Sequence, residues 1–358
     1  MTSRLVAGCM TGTSIDSIDA ALVRIEGNGP EMTPRFIRGA SRPLGELAPR
    51  LRALAEQHPV SAGDIAALSR EFSLAHVPVL KELLGMDCVD LIAVHGQTVF
   101  HQPPVSWQML SPAPIALALR TPVVFDLRAA DLAAGGQGAP ITPLADWAFF
   151  RRMPRPLSLV NLGGFCNVTV LAANADQDHP GLITGRDVCP CNHLLDTIAR
   201  KLFHVPYDDG GRRAAEGSVH DEALVDLDGI LASLEGKRRS LGTGDEVGDW
   251  ISRWRSHIAP PDLAASACES IGHAIAAATA GTRSLLLAGG GVKNKRLVEA
   301  IRANSAAEVA PAPDGLAEYR EAASMAVLGA LCQDRFPITL AQVTGVAIPP
   351  VSGIWVFP

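Results

Sequence analysis

Aromatic residues make up only 5% of this 358-residue chain, which leaves few flat faces on which the bases of a single-stranded nucleic acid can stack. Strong charge of one sign is also missing: the net charge is −6, and the densest basic run, Lys237, Arg238 and Arg239, is too short to follow a phosphate backbone. Nucleic acid is thereby excluded as a partner, and a small-molecule substrate is expected. No window reaches the ~18 uninterrupted apolar residues of a membrane-spanning helix, and no basic stretch followed by an apolar one opens the chain. These absences lead to the expectation of a cytoplasmic protein without a membrane partner. The seven cysteines (Cys9, Cys88, Cys166, Cys189, Cys191, Cys268 and Cys332) are odd in number and scattered, unlike a disulfide framework, so reduced thiols are expected. The GxxxxGKS pattern is absent as well, which excludes a Walker-type phosphate loop.

What the chain does contain is a pair of glycine and hydroxyl turns. Residues 8–23, GCMTGTSIDSIDAALV, read as a strand that breaks into a turn bearing an acid and then resumes as a second strand. Residues 161–171, NLGGFCNVTVL, read as another such hairpin. Backbone N–H groups of two turns of this kind can converge on a polyphosphate. In the first, Gly12 is expected at positive φ, Thr13 and Ser14 supply hydroxyls, and Asp16 or Asp19 suits a magnesium ion held through water; a plain hydroxyl-capped hairpin turn has the same composition. In the second, Gly163 and Gly164 permit close approach of backbone to phosphate, with Asn161 and Asn167 as amide donors. A third glycine feature, LLLAGGGVKNKRL, runs from a strand through Gly289, Gly290 and Gly291 into a helix expected near Lys293, whose first amides can face a ligand.

A chain of this length exceeds one typical domain, so two lobes with a cleft between them are expected, residues 1–155 and 156–358, divided in the proline-bearing stretch 151–157. Periodicity predicts helices over 47–57, 61–84, 144–152, 192–203 and 264–280, and buried strands over 89–94, 121–126, 157–161, 168–171 and 284–288, with a polar loop running through Asp178. The class is α/β.

Three further segments carry chemistry. HGQTVFHQP, residues 95–103, concentrates His95, Gln97, Thr98 and His101, which suit sugar hydroxyls or, equally, form a polar loop whose histidines satisfy backbone groups. FDLRAADLAAGGQGAP, residues 125–140, offers Asp126 and Arg128, the latter able to grip a carboxylate with two N–H groups; a surface pair of Arg128 with Asp131 is the simpler alternative. GRDVCPCNHLLD, residues 185–196, sets Asp187 ahead of a helix, as a general base or as a helix cap, while Cys189, Cys191 and His193 lack the usual zinc spacing.

In this order, MTGTSIDSID, VHGQTVFHQP, DLRAADLAAGGQGAP, NLGGFCNVT, GRDVCPCNHLLD, DDGGRRAAEG, RSLG, AGGGVKN, REAASMAVLGAL and the terminal VTG resemble the anhydro-N-acetylmuramic acid kinases over nearly the whole chain. The resemblance implies a two-lobed, actin-like ATPase fold of the ribonuclease H-like kind, a duplicated mixed sheet flanked by helices. It implies ATP and Mg2+ as cofactors, an amino sugar as substrate, and a homodimer. By resemblance, Gly12, Thr13, Ser14, Ile15, Asp16, Ser17, Ile18 and Asp19 form the first phosphate loop, with Asp16 toward the metal. Gly163, Gly164 and Asn167 belong to the second, and Gly289, Gly290, Gly291 and Asn294 meet the nucleoside. Gln97, Thr98, Asp126, Arg128 and Glu321 hold the sugar, and Asp187 is the base. The implied reaction opens 1,6-anhydro-N-acetylmuramic acid with water and phosphorylates O6, giving N-acetylmuramic acid 6-phosphate for cell-wall recycling; a kinase of another amino sugar and a non-catalytic ATP-binding switch are the alternatives. Three features depart from the family pattern: Ser17 in TSxDG and Cys189 in DTGPxN, where glycine is usual, and an RSLG segment without the paired prolines usually ahead of it. At Cys189, a side chain where that glycine needs positive φ or close contact with a phosphate costs roughly 1–3 kcal/mol.

Overall fold

The computed structural model describes residues 3–12, 14–173, 180, 183–235, 247–313 and 315–358. Thr13, the end of the polar loop at Asp178, the basic run at Lys237 and the RSLG segment lie outside the described residues. The chain divides into two compact units, one of Met1–Arg152, Ala175–Ile183 and Asp314–Pro358, the other of Met153–Asn174 and Thr184–Pro313.

The first unit is built on a sheet. Its strands are β1 (Ser3–Met10), β2 (Ser17–Glu26), β3 (Thr33–Pro43), β4 (Leu91–Val94), β7 (Val123–Phe125) and β13 (Ile354–Val356), in the order β13-β7-β4-β1-β2-β3. A separate hairpin, β5 (Gln97–Gln102) with β6 (Val105–Met109), follows β4 directly. β1, β2 and β3 are antiparallel neighbours, while β4 and then β7 run parallel to β1. In the second unit the strands are β8 (Leu157–Leu162), β9 (Phe165–Leu171), β10 (Ile183–Pro190), β11 (Ser284–Ala288) and β12 (Glu308–Pro311), in the order β10-β9-β8-β11-β12. Again the first hairpin is antiparallel, and the fourth and fifth strands run parallel to the first. Both sheets thus have the order 3-2-1-4-5, the ribonuclease H-like arrangement, and its duplication is the actin-like ATPase plan. Parallel strands need crossover connections, and those helices cover the sheet, which explains why β4 is apolar and buried along its whole length.

Local signals explain the principal helices. Ala62–Leu84 starts where the Ser61 hydroxyl accepts the Asp64 N–H at 3.2 Å, a regular N-cap, and turns Phe72, Val79, Leu80 and Leu83 inward. Each such side chain, fully buried, contributes roughly 1.5–3 kcal/mol. The helix expected over 192–203 forms as Asn192–Ile198 and widens into a π turn at Ala199–Phe203. The helix expected near Lys293 starts two residues later, at Lys295, after a short turn through Gly290–Lys293. Leu316–Gln333, in the stretch expected to belong with residues 156–358, instead packs on β1, β2 and β4 of the first unit. It approaches so closely that a Cβ on Gly8 would lie 2.0 Å from the Ala322 carbonyl oxygen. All seven cysteines are free thiols, and among the described residues no helix is long and apolar enough to cross a membrane.

Candidate functional site

In the first unit the turn between β1 and β2 is closed by the Ile15 N–H, which donates to the Gly12 carbonyl at 3.1 Å. The left-handed residue is Ile15, at φ +51°, and not Gly12 as the sequence suggested. A β-branched residue in that region is strained, and its surroundings hold it there. Its side chain is buried, and Arg52 Nη2 donates to the carbonyls of Ser14 at 3.0 Å and Ile15 at 3.2 Å. Arg52 is a clamp that sequence reading missed, because it lies on a helix more than thirty residues away. Ser17, Ile18 and Asp19 are strand residues of β2, and Ser17 is not left-handed, so no glycine is required there.

The acids around this turn repel one another. Asp19 accepts from Ser41 Oγ at 2.6 Å and Ser17 Oγ at 3.1 Å, yet its pKa is raised, first by burial and further by Asp16 and Glu318. Glu321 is raised by burial too, with Arg320 opposing and Asp19 adding. Asp16 is exposed and accepts from Ser14 Oγ at 2.8 Å. Such a field suits a cation. Among the described residues no three candidate ligands converge for direct coordination of a metal ion.

Gln97 and Thr98 lie at the start of β5; Gln97 is buried, donates to the Thr98 carbonyl at 3.0 Å, and its Oε1 has no partner. Asp126 is left-handed at φ +52° and accepts the Ala129 N–H at 3.2 Å, while burial raises its pKa. Arg128 Nε donates to His95 Nε2 at 3.0 Å. Asp131 is not the surface partner of Arg128: fully buried, it accepts from the Gly138 N–H at 2.7 Å and the Thr344 hydroxyl at 2.8 Å. The glycine-rich loop is therefore wound around Asp131 and tied to the terminal VTG segment. A Cβ on Gly136 would lie 2.2 Å from an Asp131 oxygen, which is why that glycine is needed.

In the second unit the β8–β9 turn is fastened through its carbonyls. Leu162 accepts from Asn192 Nδ2, Gly163 from the Asn192 N–H, and Gly164 from the N–H groups of Cys191 and His193, at 2.9–3.1 Å. Asn161 and Asn167 face each other in register across the hairpin, and Asn161 Oδ1 is buried without a partner. Gly289, at φ +85°, passes so close that a Cβ would lie 2.8 Å from the Leu162 carbonyl oxygen; on Gly291 a Cβ would lie 2.7 Å from Leu162 Cβ. The structure thus brings Gly163, Gly164, Gly289, Gly290 and Gly291 around Asn192, a residue that sequence reading passed over. Asn294 caps the helix Lys295–Asn304 by accepting the Leu297 N–H at 3.0 Å.

Asp187 sits half-buried within β10. The helix after it is capped at Cys191, so the helix-cap reading of Asp187 falls away. Cys189 is also a β10 residue, fully buried and not left-handed, with its sulfur against that of Cys166. A thiol in place of the usual glycine is accommodated as core, without backbone strain.

The sequence model of the family described as anhydro-N-acetylmuramic acid kinase matches residues 4–357. A protein of that name from Salinibacter ruber (strain DSM 13855 / M31) is 32% identical over 380 residues, covering 96% of this chain and 93% of that one. Another, from Synechococcus sp. (strain WH7803), is 31% identical over 384 residues and covers 99% of both. Among solved structures, component A of (R)-2-hydroxyglutaryl-CoA dehydratase from Acidaminococcus fermentans aligns over 91% of this chain and 98% of that one, at 12% identity and a TM-score of 0.48. The strand order of the two sheets, rather than this distant likeness, identifies the fold.

Proposed function

The chain belongs to the anhydro-N-acetylmuramic acid kinase family, and from that premise we propose that it uses ATP to convert 1,6-anhydro-N-acetylmuramic acid into N-acetylmuramic acid 6-phosphate. In this reaction the bond from C1 to O6 breaks, a water oxygen bonds to C1, and O6 takes the γ-phosphoryl group, leaving ADP. Asp187 accepts the proton of that water as general base. Thr98, Gln97, Asp126 and Glu321 hold the sugar, and Arg128 takes its lactyl carboxylate. Ser14 and the backbone of the first turn, with Gly163, Gly164 and Asn167, cradle the phosphates, while Gly289, Gly290, Gly291 and Asn294 border the nucleoside. Asp16, with Asp19 behind it, would hold Mg2+ through water, and the ion would offset charge on the phosphate oxygens.

The observation that carries this reading is the fastening of Gly163 and Gly164 to Cys191, Asn192 and His193. These bonds tie the proposed phosphate turn to the residues that directly follow β10, the strand that bears Asp187, and such a tie supports the fixed geometry that positioning catalysis requires. A cytoplasmic homodimer acting in cell-wall recycling completes the reading.

The test is incubation with ATP, Mg2+ and the anhydrosugar, followed by mass analysis. The expected product has gained one water and one phosphoryl group. Asp187→Asn is expected to abolish turnover and to leave ATP affinity within about twofold. A phosphorylated product with the bridge intact, or an undiminished Asp187→Asn variant, overturns the assignment.

A further inference from the structure

His95 has no role in the reaction as described, yet both of its ring nitrogens are engaged. It follows β4, is 3% exposed, and places Nδ1 3.0 Å from the Gly96 carbonyl oxygen and Nε2 3.0 Å from Arg128 Nε. A guanidinium N–H only donates, so Nε2 is the acceptor and the single ring proton sits on Nδ1, donated to Gly96. The carbonyl that selects this tautomer is itself fixed. Gly96 is left-handed at φ +80°, and a Cβ there would lie 3.0 Å from the Met109 carbonyl oxygen.

We infer that His95 is a positioning residue for sugar recognition: as a neutral acceptor it sets the plane of the Arg128 guanidinium, so that Arg128 meets a substrate carboxylate edge-on. This rests on the kinase reading and on Arg128 as the carboxylate contact. Burial, and after it the charge of Arg128, lowers the His95 pKa to about 3, so the acceptor lone pair persists at neutral pH. Protonation would remove the lone pair and set two cations against each other. From the other side, Arg128 is held by the left-handed turn at Asp126, whose carboxylate accepts the Ala129 N–H. Nearby His101 is kept neutral in the same way, at about 4, by burial and by Arg128. Its Nδ1 is 2.8 Å from Ser106 Oγ, whose hydroxyl donates to the Phe100 carbonyl. With the Ser106 proton so committed, His101 Nδ1 is the donor in that bond, so Arg128 is bordered by one accepting imidazole, His95, and by a second neutral one, His101, rather than by competing cations.

The test compares His95→Leu, which removes the acceptor, with His95→Gln, whose amide oxygen reaches the place of Nε2. In His95→Leu the KM for the anhydrosugar is expected to rise about tenfold, a coupling of about 1.4 kcal/mol. The kcat at saturating sugar and the KM for ATP should stay within about twofold, and His95→Gln should restore most of the loss. In an Arg128→Ala background, His95→Leu should add nothing. With 1,6-anhydro-N-acetylglucosamine, which lacks the lactyl carboxylate, His95→Leu and wild type should match. Should the leucine variant fail to fold, His95→Gln against His95→Asn makes the same comparison, because asparagine places its oxygen near Nδ1 instead. Equal losses on both sugars, or a loss that adds to that of Arg128→Ala, overturn the positioning role while leaving the kinase reading in place. A wild-type protein that phosphorylates neither sugar overturns both.

Discussion

Substituting Asp146 by Asn should weaken the first unit more than any surface change. Asp146 and Arg320 have side chains 0% and 1% exposed, and they join the helix Pro143–Phe150 to the helix Leu316–Gln333. Arg320 Nε donates to Asp146 Oδ1 at 2.7 Å and Nη2 donates to Oδ2, while Nη1 is buried with no hydrogen-bond partner. With asparagine the guanidinium keeps its charge in the core and loses the carboxylate that accepts from its Nε and Nη2. Breaking a buried pair from one side costs about 3–5 kcal/mol, a large fraction of the roughly 5–15 kcal/mol that stabilises a folded protein. At about 2–4 °C per kcal/mol, the melting temperature should fall by roughly 6–20 °C. Urea unfolding followed by circular dichroism reads the first quantity, and a thermal scan the second. Replacing both partners, Asp146→Leu with Arg320→Met, should recover most of the loss, since neither charge of the pair is then buried unpaired. A loss below about 1 kcal/mol in Asp146→Asn, or a double variant no better than the single one, refutes the reasoning.

Other expectations follow from the same geometry. Gly8→Ala sets a methyl 2.0 Å from the Ala322 oxygen and 2.5 Å from the Ala326 nitrogen, both helix backbone. The helix must lift from β1, at about 3 kcal/mol by urea unfolding, whereas Gly12→Ala, whose methyl meets only Ser14 Oγ at 3.7 Å, should change stability by less than about 0.5 kcal/mol. Buried His76 has its pKa lowered from 6.5 to about 4 by burial, so the stability of its neutral form is present above 6.5 and is lost as pH falls toward 4. Urea midpoints at pH 7 and pH 5 should show that His76→Gln loses about 2 kcal/mol less than wild type over that interval; parallel losses would argue against it. Glu321 is raised from 4.5, so its favourable term is complete below 4.5 and disappears as pH rises through the folded value. Glu321→Gln should therefore melt above wild type at pH 7.5 and level with it at pH 4, while the KM for the sugar rises; an unchanged difference between the two pH values would contradict this.

The helix beginning at Ser61, the strand at 284–288 and the two glycine hairpins were legible in the chain because each depends on neighbours in sequence: apolar residues at helical spacing, an apolar run of strand length, a turn between two such runs. Left-handed Ile15 was not legible, because the contacts around it, among them the Arg52 bonds to the Ser14 and Ile15 carbonyls, come from another element. Nor was Asp131, which composition offers as a surface partner for Arg128 and which the fold buries as the hub of a loop. The three glycines at 289–291 stood out as a group, but the reason for Gly289 and Gly291, their approach to Leu162, exists only once β11 lies beside β8.

Residue order alone determined the duplicated plan, the α/β class and the family, since periodicity and motif succession are properties of the chain. Tertiary structure decided the rest: that Leu316–Gln333 covers β1, that Cys189 is core and not strain, and that His95 stands as a neutral acceptor behind Arg128. These depend on burial and on which groups meet across long stretches of chain, and a side chain's charge, strain and partners are settled by what surrounds it in space.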